Sequence, residues 1–171
     1  MPLSFVSNRI LLVDLNSEFP VDFQSTLYEV HCVIGEFLMS SEVTLEVVAV
    51  DDSPSVLAQF KQLVSGINGV KVVGTAKDGL EAIALLRDTK ADLVVMDIVM
   101  PRMDGLTALR TLRVSNPGIR VAMLSSVAGS RSRAEEAFRL GAVQVLTKPV
   151  DPVKLRELLA AERAAKASAG G

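Results

Sequence analysis

Five polar residues in this chain stand at the ends of four short, largely apolar runs. Asp51 and Asp52 follow residues 45–50, Asp97 follows 93–96, Ser125 follows 119–124, and Lys148 follows 143–147. Crowded carboxylates repel one another and raise each other's pKa unless a cation sits among them. Hard oxygen donors without imidazole or thiolate favour Mg2+, with water and a substrate phosphate completing its octahedron. A carboxylate can also attack phosphorus as a nucleophile and form an aspartyl phosphate. Lys148 can then pair with the phosphoryl oxygens, and Ser125 can donate a hydrogen bond to one of them. Helix capping and metal binding are equal alternatives for Asp52 taken alone, but capping is a poor account of polar groups at the ends of four separate runs.

These groups meet only if the runs are neighbouring parallel strands. From Leu45 onward the pattern supports this. Residues 45–50 read as a strand, and Ser53-Pro54 as an N-cap with a helix-compatible proline. Val56, Leu57, Phe60, Leu63 and Val64 make one apolar helix face, which Gly66 stops. A second strand, 70–73, is closed by Gly74, and Asp78-Gly79-Leu80-Glu81 reads as a variant capping box. The helix after it carries Ile83, Leu85 and Leu86. After the third strand, 93–96, Asp104 caps a helix with Leu106, Leu109 and Leu112, ended by Asn116-Pro117-Gly118. The fourth strand, 119–124, precedes a helix read as capped by Ser132 and Glu135, with Ala134, Ala137, Phe138 and Leu140 apolar and Gly141 closing it. The fifth strand, 143–147, leads through Asp151-Pro152 to a helix carrying Val153, Leu155, Leu158 and Leu159. Strict strand–helix alternation with right-handed crossovers predicts an α/β fold, a flavodoxin-like doubly wound (βα)5 with a five-stranded parallel sheet in the order 2-1-3-4-5. In such sheets ligands gather at the carboxyl ends of the strands, where Asp97 lies.

Composition narrows the function classes. Apolar residues are 49% and charged residues 22%, as expected of a soluble globular domain. A net charge of −2 gives no general attraction to nucleic acid or anionic membrane, and one Tyr, six Phe and no Trp leave few stacking platforms. No run is long enough for a membrane span and the N-terminus lacks a signal-peptide pattern, so a cytoplasmic location is expected. Cys32 is the sole cysteine, which rules out an intramolecular disulfide; His31-Cys32 is read as apolar packing in preference to a metal site or reactive thiol.

The stretches Val50-Asp51-Asp52-Ser53, Met96-Asp97-Ile98-Val99-Met100-Pro101-Arg102-Met103-Asp104-Gly105, Met123-Leu124-Ser125-Ser126 and Leu146-Thr147-Lys148-Pro149 carry a resemblance. From Leu45 to about Ala160 the chain resembles the receiver domain of two-component response regulators. The resemblance implies Asp97 as phosphoacceptor. It implies an acidic pair, Asp51 and Asp52, that holds Mg2+ with Asp97 and the Val99 backbone carbonyl, Asp52 being the more direct ligand. Lys148 is implied as the phosphate-binding lysine, Ser125 as the switch hydroxyl, and Lys148–Pro149 as a cis peptide bond. It further implies a sensor histidine kinase or phosphotransfer protein as donor, and a downstream protein target or phosphorylation-dependent homodimer as output. Nucleic acid and membrane are not implied partners. The Met123–Ser126 motif is similar to those of chemotaxis regulators.

Two departures bear on mechanism. Val145 stands where many receivers carry a Tyr or Phe that swings inward with the switch hydroxyl, so the aromatic half of that switch is missing. Val99 and Val127 occupy the two positions that tune dephosphorylation in the family, and neither can hydrogen-bond an attacking water, so a long-lived aspartyl phosphate is expected. Arg131, Arg133 and Arg139 lie on or near the fourth helix, as a solvated face or as a partner-facing one.

Two other functions are weaker fits. A Mg2+ phosphohydrolase of the haloacid-dehalogenase type requires an Asp two residues after its nucleophile, where this chain has Val99. A nucleotide-binding module lacks its Gly-rich phosphate loop. The expected organisation is a receiver domain over 45–162, a flexible tail over 163–171, and an N-terminal extension over 1–44. That extension reads either as an upstream start or disordered arm, or as an added edge strand or interaction segment.

Overall fold

The computed structural model describes residues 43–126 and 130–169. The strands are β1 (Leu45–Val50), β2 (Val70–Ala76), β3 (Leu93–Asp97), β4 (Arg120–Ser125) and β5 (Gln144–Thr147). They form one sheet in the order β2-β1-β3-β4-β5 with every adjacent pair parallel, the order read from the sequence. The helices are α1 (Pro54–Ser65), α2 (Gly79–Asp88), α3 (Gly105–Ser115), α4 (Ser130–Arg139) and α5 (Pro152–Ala169). Among the described residues, no helix is long and apolar enough to cross a membrane.

The two-residue period of the strands divides the core in two. Val48, Val50, Val94, Met96, Val121 and Met123 form one apolar layer with Ala82 and Leu86 of α2, Ala108, Leu109 and Leu112 of α3, and Ala137 of α4. Leu45, Val47, Ala49, Leu93, Val95, Ala122 and Leu124 form the other with Phe60 and Val64 of α1 and Leu155, Leu158 and Leu159 of α5. Every residue of β3 is buried, which is why its sequence reads as an unbroken apolar run into Asp97.

The caps set where helices begin beside the carboxyl edge. Glu81 N–H donates to Asp78 Oδ1 at 2.9 Å and Thr107 N–H to Asp104 Oδ1 at 2.9 Å, as the sequence predicts. In the return half of the capping box, Glu81 Oε2 accepts from Lys77 N–H at 3.0 Å in place of the cap residue's own amide. Ser53 precedes α1 in extended conformation, yet its hydroxyl makes no capping bond and pairs with Ser55 Oγ at 2.8 Å.

Several expectations are corrected. Gly74 does not close β2: it pairs with Val48 beside a bulge, and the strand runs on to Ala76. The missing side chain there makes room for Leu85, whose Cδ2 would lie 2.7 Å from a Cβ. Ser132 lies inside α4, which already begins at Ser130. Phe138 and Val153, expected on apolar faces, are exposed; α4 meets the sheet through the small Ala137, and α5 through its leucines. The chain expected to leave as a tail from 163 stays helical to Ala169, with Lys166 Nζ donating to Thr44 O at 2.8 Å and Asp92 Oδ2 at 2.7 Å. The readings of 1–42, including His31 and Cys32, fall outside the described residues.

Candidate functional site

β1, β3 and β5 end at one edge of the sheet. β1 gives way to Asp51, which is 1% exposed, and to exposed Asp52. β3 ends in Asp97, 6% exposed. One carboxylate oxygen from each of Asp51, Asp52 and Asp97 can be chosen so that all lie within 4.8 Å of one another. β5 runs into Lys148, whose Nζ lies 2.5 Å from both Asp51 Oδ2 and Asp97 Oδ2. Burial opposes the ammonium's charge, but its bonds to Asp51 and Asp97 prevail and hold the lysine pKa above its ordinary value. Lys148 therefore acts as an internal cation in an acidic pocket.

The remaining carboxylate oxygens are held by backbone amides. Ser53 N–H donates to Asp51 Oδ1 at 2.9 Å and Val99 N–H to Asp97 Oδ1 at 3.2 Å, each from two residues onward. The donor set is three carboxylates within reach of one hard divalent ion, which fits Mg2+. Asp52 is the most open of the three, and Asp51 is the most enclosed by protein partners.

Ser125 is buried at the end of β4, its hydroxyl donating to Ser126 O at 3.3 Å and making no bond to the acidic cluster. Lys148 N–H donates to Ser125 O at 2.8 Å, which ties the ends of β4 and β5 together. The Lys148–Pro149 peptide bond is cis. Val145 is half-buried against the core layer beneath α2–α4. Val99 is 50% exposed beside Asp97, whereas Val127 lies outside the described residues. Arg131, Arg133 and Arg139 are exposed, and among the described residues Arg131 pairs along its own helix with Glu135 at 3.4 Å.

The sequence reading missed the second layer of this site. Arg102, in the loop after Asp97, reaches back to α2, pairing with Asp78 and with Glu81 at 2.7 Å. Asp78 and Glu81 were legible as cap residues, but nothing in their spacing points to a cation 21 residues beyond Glu81. The backbone bond from Glu81 N–H and the charge of Arg102 keep the Asp78 carboxyl below its ordinary range; the Lys77 amide and Arg102 do the same for Glu81. Stability from carboxyls lowered in this way is complete above their unfolded pKa values and drains away as pH falls through the folded ones. Thermal melts should therefore show a loss of stability below about pH 4. Asp78→Asn, which still caps but does not titrate, should show a shallower loss; an identical acid limb in both proteins would exclude this contribution.

The family description "Response regulator receiver domain" matches residues 47–160. The chain is 34% identical to chemotaxis protein CheY of Listeria monocytogenes over 122 residues, covering 71% of this chain and 99% of that protein. Its structure is similar to the response regulator domain of Thermotoga maritima CheB, with a TM-score of 0.65, 34% identity, and 71% and 97% of the two chains covered. It is also similar to CheY in the CheX–CheY–BeF3–Mg2+ complex from Borrelia burgdorferi, with a TM-score of 0.63, 31% identity, and 67% and 86% covered. The match to a protein-glutamate methylesterase of Myxococcus xanthus, 37% identical, spans only 30% of that relative's length. The acidic cluster with its lysine, the β2-β1-β3-β4-β5 sheet and these matches lead to one conclusion: the chain belongs to the response regulator receiver domain family of two-component signalling, whose members are phosphoacceptor switches.

Proposed function

We propose that this protein acts as a single-domain response regulator with Asp97 as its phosphoacceptor. One observation carries the reading: Asp97 shares a pocket with two other carboxylates, and Lys148 bridges it to Asp51. A sensor histidine kinase or phosphotransfer protein would present a phosphohistidine. An Asp97 carboxylate oxygen attacks phosphorus, the P–N bond breaks, and its electron pair leaves with the imidazole. Mg2+, held by Asp52, Asp97 and the Val99 carbonyl with Asp51 beside them, would offset the charge on the phosphoryl oxygens. Lys148 then exchanges its contact with Asp97 for one with a phosphoryl oxygen, and the Ser125 hydroxyl leaves the Ser126 carbonyl to donate to another.

The match along nearly the whole of a CheY supports the single-domain reading, with output through protein contact or a homodimer. The receiver unit is taken as 45–162, with 1–44 as an N-terminal extension. The two-state element is the loop and helix after β4, and it works without ring burial because Val145 replaces the aromatic.

Incubation with a small acyl phosphate and Mg2+, followed by intact mass spectrometry, should add one phosphoryl group. The label should be long-lived, because the Val99 side chain offers no hydrogen bond to an attacking water. Val99→Gln, which supplies a carboxamide able to orient water, should lose the label several times faster. Failure of the wild type to take up label would overturn the proposal; equal lifetimes would remove Val99 from it.

A further inference from the structure

The loop from β3 to α3 carries Val99 and is clipped at both ends. Ile98 N–H donates to Leu124 O at 2.9 Å, and Gly105 N–H donates back to Ile98 O at 2.9 Å. In its middle, Met103 N–H donates to Pro101 O at 2.7 Å across Arg102, whose φ is +62°. A γ-turn with a left-handed non-glycine residue at its centre is rare and strained. Such a turn persists only where its surroundings hold it.

What holds it lies on α2. Gly79 N–H donates to Met103 O at 3.1 Å, and the Arg102 guanidinium pairs with Glu81 Oε1 at 2.7 Å and with Asp78 Oδ2. The Asp78 side chain is 1% exposed, and its Oδ2 has no hydrogen-bond partner among the described residues beyond that charge contact. Met100 is buried in the core, while Val99 has a half-exposed side chain and a backbone bond to Asp97 Oδ1 at 3.2 Å.

We propose that Arg102 is a positioning residue for the metal and phosphoryl site, its fork into Asp78 and Glu81 setting where the loop presents Val99 beside Asp97. The inference rests on the phosphoacceptor reading, in which the Val99 carbonyl is a metal ligand. Outer partners that orient metal ligands are commonly worth 10–100-fold in affinity.

Arg102→Gly tests positioning through the metal affinity of the folded protein. Glycine tolerates the left-handed turn without strain, so the turn stays accessible but is no longer held. Titration of the full chain with Mg2+, followed through backbone amide resonances, should give a dissociation constant about tenfold weaker than wild type. The Val99 amide should broaden in the metal-free protein, and the melting midpoint should fall because the buried Asp78 carboxylate loses its cationic partner. Arg102→Lys keeps a charge for Asp78 without the planar fork and should fall between the two; it decides the matter if the glycine variant does not fold. Wild-type Mg2+ affinity in either folded variant overturns this inference alone. A wild type that does not bind Mg2+ overturns the phosphoacceptor reading and this inference with it.

Discussion

Asp97→Asn should abolish phosphoryl uptake while leaving the fold intact. The carboxamide is a far poorer nucleophile toward phosphorus than a carboxylate, so labelling should fall by more than about 10³-fold, as on loss of an enzyme's covalent nucleophile. Stability should change little, because two effects oppose each other. The variant loses the contact between Asp97 and Lys148, but Lys148 keeps Asp51 at 2.5 Å. It also removes one of three mutually repelling carboxylates. Mg2+ stabilises a protein only insofar as it binds the folded state, so the rise in melting midpoint that Mg2+ gives the wild type should shrink in Asp97→Asn. Labelling assays and melts with and without Mg2+ check both halves. Residual labelling at wild-type rate would place the acceptor elsewhere.

Gly105→Ala should have the largest structural effect of any single methyl addition near the site. The helix α3 starts so close to β3 that a Cβ at residue 105 would collide with the Asp97 carbonyl oxygen and lie 2.8 Å from Met123 Cε. The Asp97 carbonyl is strand backbone and cannot yield cheaply, whereas the Met123 methyl is the end of a flexible side chain. Overpacking of this kind costs about 3 kcal/mol, a fall on the order of 10 °C in melting midpoint for a domain of this size. The displaced atoms belong to Asp97 itself, so labelling should also slow, as positioning errors of about 1 Å commonly cost 10²-fold. Gly118→Ala is the matched control, because a Cβ there meets nothing within 4 Å and should be neutral or slightly stabilising. Equal stability of the two variants would contradict the close approach of α3 to β3.

Much of this molecule is legible in its sequence because the signals are local and repeated. Four of the apolar runs end in polar residues, and strand–helix alternation with right-handed crossovers and the common five-strand order carries them to one edge, as the Asp51–Asp52–Asp97–Lys148 constellation shows. Local rules failed where tertiary contact overrides them. Gly74 resembles a terminator, but it sits within β2 because Leu85 needs the space. Phe138 has helical spacing with Ala134, four residues earlier, but it is exposed, and α4 meets the sheet through Ala137. The residues past 163 look like a fraying Ala/Lys tail, but Lys166 finds Asp92 and Thr44 at the far edge of the sheet. Arg102 was invisible as a structural element, because its partners are set by how the β3–α3 loop folds against α2.

The central claim is that Asp97 accepts a phosphoryl group in a Mg2+-dependent pocket and that Ser125 and Lys148 respond to it. Beryllofluoride mimics an acyl phosphoryl group, and its titration with Mg2+ can be followed by amide resonances in wild type and Asp97→Asn. The expected result is saturable, Mg2+-dependent shifts at Asp97, Val99, Ser125 and Lys148 in the wild type and none in Asp97→Asn. An unresponsive wild type, or the same shifts in the variant, would contradict the account.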